Sequence, residues 1–137
     1  MRGRLVGAKI AIIEDDALLC RSMALFLQVR GARVVTYGSA EEAGDAVLRG
    51  GFDLVISGFR LPGESGLSFL RRLREASATA GTVLIVSREG KDLPKEAADA
   101  GIDNFLAKPF STKELEVAIS RILEGGGTGS KGIIEAM

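Results

Sequence analysis

Asp53-Leu54-Val55-Ile56-Ser57-Gly58-Phe59-Arg60-Leu61-Pro62-Gly63-Glu64-Ser65-Gly66 is the stretch whose reading decides the fold. An apolar run leads into the small residues Ser57 and Gly58, then into a Pro-Gly turn, then into an amphipathic helical pattern. Strand, loop and helix in that order make half of a βαβ unit, and ligands in such folds sit at the carboxyl ends of the strands. Ser57, Gly58, Phe59 and Arg60 are therefore expected at the floor or rim of any functional crevice. Gly58 is the unusual residue. A glycine closing a buried strand marks a bend or a close approach by another group, or a place where a functional side chain is missing.

Outward from that stretch the same alternation repeats. Ala8 to Ile13 reads as a buried strand that ends in Glu14-Asp15-Asp16, three carboxylates in a row. Leu18, Leu19, Met23, Phe26 and Leu27 recur at helical spacing over Ala17 to Val29, and Gly31 closes that helix. Arg33 to Tyr37 is a second strand. Ser39-Ala-Glu-Glu42 is a capping box that opens a helix to about Arg49. The third strand is Leu54 to Ser57, and the next helix runs from about Gly66 to Glu75 with Leu67, Leu70 and Leu73 inward. Thr82 to Val86 is a fourth buried strand ending at Ser87. Pro94 suits the first turn of a short helix over Lys95 to Ala100, which Gly101 ends. Asn104 to Ala107 is the fifth strand, and Ser111-Thr-Lys-Glu114 caps a last helix to about Leu123.

Five strands alternating with five helices predict a doubly wound, five-stranded parallel sheet of the α/β class, a flavodoxin-like (βα)5 fold with strand order 2-1-3-4-5. The domain spans 8–124, after an N-terminal lead at 1–7 and before a Gly-rich tail or linker at 125–137. Converging strand ends would gather Glu14, Asp15, Gly58, Ser87 and Lys108 in one crevice.

Composition narrows the function. At 137 residues the chain is one domain, 46% hydrophobic and 26% charged. Eighteen basic residues balance eighteen acidic ones, so no global field steers it to nucleic acid or an anionic membrane. No apolar run is long enough to span a membrane, and the start lacks the apolar core of a secretory signal. The single cysteine, Cys20, is expected to be packed rather than reactive, which fits a reducing cytoplasm. The chain has no histidine, which excludes Ser-His and Cys-His catalysis and histidine-ligated zinc.

An acidic pair after strand one, Leu61-Pro62-Gly63 after strand three, a serine ending strand four and Gly101-Ile-Asp-Asn-Phe-Leu-Ala-Lys-Pro-Phe110 around strand five resemble the receiver (CheY-like) domain of bacterial two-component response regulators. The resemblance covers about 8–124. It implies that Glu14 and Asp15 hold Mg2+, that Ser87 hydrogen-bonds a phosphoryl group, that Lys108 pairs with its charge, and that Phe105 is the aromatic that reports the state. The phosphoacceptor aspartate falls at Gly58, whether counted from Asp53 or from Leu61-Pro62-Gly63. Gly58 offers no carboxylate to phosphorylate and removes one Mg2+ ligand. Ser57 beside it points to the other face of the sheet. With two carboxylates instead of three, Mg2+ would bind weakly, and Lys108 could bridge to Glu14 or Asp15. Such a bridge would relieve the repulsion between that pair. Arg60 and Arg88 stand at the rim, either over the pocket or solvated.

The expectation is a degenerate pseudo-receiver, a protein–protein interaction module in a two-component-type phosphorelay pathway rather than an enzyme. It would carry no cofactor beyond weakly held Mg2+. Its docking or homodimer face would be the fourth helix, fifth strand and fifth helix, roughly Pro94 to Leu123. The alternative is a small-ligand or anion sensor using the crevice, against which the retained acidic pair argues.

Overall fold

The inner strands are apolar at nearly every position because helices cover both faces of the sheet. The computed structural model describes residues 5–76, 79–87, 97, 99–102 and 104–125. In chain order these form β1 (Lys9–Ile13), α1 (Ala17–Val29), β2 (Arg33–Tyr37), α2 (Ala40–Leu48), β3 (Leu54–Gly58), α3 (Gly66–Ala76), β4 (Gly81–Ser87), β5 (Phe105–Lys108) and α4 (Thr112–Gly125). The five strands pair in parallel in the order β2-β1-β3-β4-β5. This is the expected doubly wound α/β sheet. Of the short helix expected at Lys95–Ala100, Ala97 and Asp99 are helical and Ala100 enters the turn that Gly101 closes at φ +83. The remaining positions of that segment, and the Gly-rich tail from 126, lie outside the described residues.

Strand alternation separates two cores. On one face Ile10, Ile12, Ile56, Val83, Ile85 and Leu106 pack against α1 and α4. On the other Ala11, Ile13, Val55, Leu84, Val86 and Phe105 pack against α2 and α3. The expected capping box at Ser111/Glu114 closes fully, and that at Ser39/Glu42 keeps the serine's half. The Glu114 N–H donates to Ser111 Oγ at 3.0 Å while Glu114 Oε1 accepts the Ser111 N–H at 2.8 Å. At α2 the Glu42 N–H donates to Ser39 Oγ at 3.1 Å, and Glu42 Oε1 reaches one residue further back to the Gly38 N–H at 2.7 Å.

Four details depart from the sequence reading. The folded unit takes in Leu5, 1% exposed, ahead of the expected start at Ala8; the Ala8 N–H donates to its carbonyl at 3.0 Å. β3 runs one residue further than expected and includes Gly58. Gly44 breaks the helical geometry inside α2 with φ +35. On α1 the buried stripe is Cys20, Met23, Ala24 and Leu27, while Leu18 is 75% exposed.

α3 approaches the sheet as closely as backbone allows. A β-carbon on Gly66 would fall on the Gly58 carbonyl oxygen and 2.7 Å from Ser57 Oγ. The glycine is therefore required by contact, against a helix propensity that favours alanine by about 1 kcal/mol. Gly66→Ala should lower stability by roughly 1–3 kcal/mol, because overpacking outweighs propensity. A denaturant titration checks this, and a gain in stability would contradict the close approach.

Candidate functional site

The crevice follows from register. Ile13 lies level with Ser57, Gly58 with Ile85, and Ser87 with Lys108. Glu14, Gly58, Ser87 and Lys108 are each two residues beyond a member of the α1/α4 core, namely Ile12, Ile56, Ile85 and Leu106. All four therefore emerge on the same face at the carboxyl edge of the sheet. Ser57 is turned the other way. It lies level with Ile13 and Leu84 of the second core, and its buried hydroxyl donates to the Gly58 carbonyl at 3.0 Å.

Glu14 occupies the centre. Its side chain is 1% exposed. Oε2 accepts the Asp16 N–H at 3.0 Å and lies 3.4 Å from Lys108 Nζ. Oε1 is buried without a hydrogen-bond partner among the described residues. That oxygen faces Gly58, and a β-carbon there would sit 2.8 Å from it. The carboxyl group thus fills the space that a side chain at 58 would enter. Of the two carboxylates expected to meet Lys108, the lysine takes Glu14. Asp15 is exposed and makes no hydrogen bond or ion pair with the described residues. Asp16, which the sequence reading gave no role, caps α1 by accepting the Leu19 N–H at 3.1 Å.

Burial pushes the Glu14 carboxyl above its ordinary value of 4.5. The Asp16 N–H and the Lys108 ammonium pull against that without cancelling it, and the repulsion expected from Asp15 is the smallest influence. Removing water from the charged form is thus the larger effect. Burial likewise raises the Cys20 thiol, which sits in the core as expected.

The remaining expected residues surround this centre. Ser87 is exposed at the end of β4 beside Lys108, and Phe105 is 7% exposed in the second core. Arg60 is exposed and pairs with no carboxylate among the described residues. Arg88 lies outside the described residues. A groove of about 460 Å³ adjoins the crevice between α1 and the edge strand β2. Its lining includes three carboxylates, Glu14, Asp15 and Glu42, against one guanidinium, Arg21. No helix among the described residues is long and apolar enough to cross a membrane.

The family model described as "Response regulator receiver domain" matches residues 10–120. The chain belongs to the response regulator receiver family. Among curated relatives, the receiver is 33% identical to the uncharacterized transcriptional regulatory protein YkoG of Bacillus subtilis, over 90% of this chain and 54% of that protein. It is also 33% identical to the transcriptional regulatory protein BasR of Escherichia coli, over 84% of this chain and 52% of that protein. The receiver therefore spans about half the length of these relatives. Among solved structures, a putative response regulator from Chloroflexus aurantiacus superposes with a TM-score of 0.77 at 28% identity, covering 86% of this chain and 98% of that one. A response regulator receiver domain protein from Clostridium thermocellum reaches a TM-score of 0.78 at 23% identity, covering 86% and 95%.

The Glu14 arrangement sets a pH dependence. Above pH 4.5 an unfolded glutamate loses its proton while the folded receiver, with Glu14 raised, still holds it. This contribution to stability is fully present below the unfolded value and is lost as pH rises through the folded one. Denaturant midpoints of the wild type should fall relative to Glu14→Gln as pH rises from 4.5 toward neutrality. A constant gap would mean that Glu14 titrates as a surface carboxylate.

The pair also predicts that Lys108→Ala lowers stability at neutral pH by about 1 kcal/mol, since it leaves a buried carboxyl with less compensation. In a Glu14→Gln background the loss should shrink, and equal losses in both backgrounds would exclude coupling.

Proposed function

We propose that this receiver works without phosphoryl transfer, as a constitutive protein–protein interaction module in a two-component-type signalling pathway. The observation that carries the reading is the Glu14 carboxyl, with Oε1 2.8 Å from a β-carbon at position 58 and Oε2 3.4 Å from Lys108 Nζ. In the family this chain belongs to, that space is the acceptor's. Here a glutamate from β1's end turns into it, and Gly58 has no side chain to compete. Ser57 faces the other core with its hydroxyl engaged by the Gly58 carbonyl, not by a base that would make it a nucleophile. On this reading the chain is not an enzyme.

The donor set does not fit Mg2+, which needs near-octahedral oxygen donors. Glu14 Oε2 already takes two donors, Oε1 faces inward to Gly58, and position 58 supplies no carboxylate. Among the described residues no three acidic, cysteine or histidine side chains gather to hold a metal. The anion-sensor alternative loses support from the same residues, because the adjoining groove carries three carboxylates and one arginine.

The partner face consistent with this reading includes β5 and α4, where Val117 and Lys113 are exposed. Phe105, on β5, lies buried in the second core and has no hydroxyl to hydrogen-bond outside. Exposing it would give up about 1.5–3 kcal/mol of apolar burial, so the face holds one dominant form. The named relatives are transcriptional regulators, and on that likeness the module serves a cytoplasmic pathway of that kind.

Incubation with acetyl phosphate and Mg2+ should leave no acid-labile phosphoryl adduct on the protein, read by mass spectrometry. Gly58→Asp should restore little, because its β-carbon meets Glu14 and the donor's approach is further obstructed if Arg88 covers the rim. Stoichiometric acyl phosphate on the wild type would overturn the reading. Full restoration by the single change would overturn the obstruction.

A further inference from the structure

β2 is an edge strand, paired on one side only, with β1. The pairing runs one to one from Lys9 and Arg33 to Ile13 and Tyr37, so no bulge interrupts it. At its ends the Arg33 N–H donates to the Ala8 carbonyl at 2.8 Å, and the Tyr37 carbonyl accepts the Glu14 N–H at 3.0 Å. Arg33, Val35 and Tyr37 therefore turn their backbone groups toward β1, and Val34 and Thr36 turn theirs outward. No strand among the described residues receives them. Natural sheets blunt such edges with lysine, proline, a bulge or a covering element. β2 has no lysine, proline or bulge, its one charge is Arg33 at the start, and Val35 is 39% exposed.

The groove of about 460 Å³ runs beside this open edge. Alternation turns the side chains of Val34 and Thr36 to the α1 side, where Val34 packs on the first core and Thr36 meets Cys20. Cys20, Ala24 and Val34 give the groove an apolar stretch, and Asp15 and Glu42 stand at its other end. Glu14 is already engaged by Lys108, so Asp15 and Glu42 are the carboxylates open to a ligand, against the single guanidinium of Arg21. A strand laid along β2 would send every second side chain into this groove.

We propose that β2 takes up an extended segment of a partner protein as a sixth strand. The segment carries an apolar side chain and, two residues away, a lysine or arginine. Its backbone pairs with Val34 and Thr36, its apolar side chain rests against Cys20, Ala24 and Val34, and its cation reaches Asp15 and Glu42. Main-chain pairing supplies the affinity and the two side chains supply the choice of partner. β2 and β5 are opposite ends of the sheet, so this contact is separate from the β5/α4 face and stands without the reading of the crevice. A short strand with few hydrogen bonds holds weakly, with a dissociation constant on the order of 100 μM.

Nitrogen-15 NMR of the full chain, titrated with the end-capped peptide Thr-Val-Thr-Lys-Thr, tests this. The amides of Val34 and Thr36 should shift and saturate, while those of β5 and α4 stay in place. Replacing the peptide's lysine by glutamate should weaken binding about tenfold or more. Asp15→Lys in the protein should reverse that preference, and far-ultraviolet circular dichroism confirms that this variant is folded. N-methylation of alternate peptide residues should abolish binding in one phase and spare it in the other, because only one row of amides faces β2. Peptides without shifts at Val34 and Thr36, or equal binding by both methylation phases, would overturn the proposal. Shifts at Val34 and Thr36 that grow with protein concentration in the absence of peptide would assign the edge to a second copy and overturn it too.

Discussion

A buried carboxyl group organises the carboxyl edge of this sheet. Glu14 is carried inward by the alternation of β1, two residues beyond Ile12, and its side chain is 1% exposed. A buried carboxylate is costly unless hydrogen-bonded or paired. Here one oxygen takes a backbone N–H and an ammonium at 3.4 Å, and the other takes nothing among the described residues. The pKa moves upward as a result. A β-carbon at position 58 would stand 2.8 Å from Oε1, so a side chain there would displace the Glu14 carboxyl from this place. Gly58, Glu14 and Lys108 are therefore one constraint rather than three separate residues.

That constraint reaches the packing below it. β3 continues through Gly58, whose carbonyl receives the Ser57 hydroxyl and leaves space only for a glycine at the start of α3. The helix can then sit close enough for Leu67, Phe69, Leu70 and Leu73 to fill the second core. Phe105 belongs to that same core, so the aromatic on β5 is held by packing that Gly66, at the start of α3, helps to allow.

Much of this was legible in the sequence because the signals were local. Short apolar runs between polar helical segments mark a parallel sheet covered on both faces, and Ser39/Glu42 and Ser111/Glu114 mark helix starts by a reciprocal chemistry that needs no tertiary context. The crevice residues were legible through strand ends. The missing pieces depend on contacts across the sequence. Which carboxylate meets Lys108, and that Glu14 turns toward Gly58, are matters of side-chain packing that spacing does not encode. Leu18 fitted a helical apolar pattern, yet α1 has apolar residues on two sides, and only the neighbours show which side is core. Leu5 lay before the first strand signal, and nothing local to Gly44 announced a break in α2.

Carbon-13 NMR of the Glu14 carboxyl, followed through a pH titration with and without Mg2+, tests the central claim most directly. The account predicts a midpoint above 4.5, unmoved by Mg2+, because the group is buried against Gly58 and already engaged by Lys108. A midpoint at or below 4.5 that Mg2+ drives lower would contradict it, since that is the behaviour of a solvated carboxylate in a working metal site.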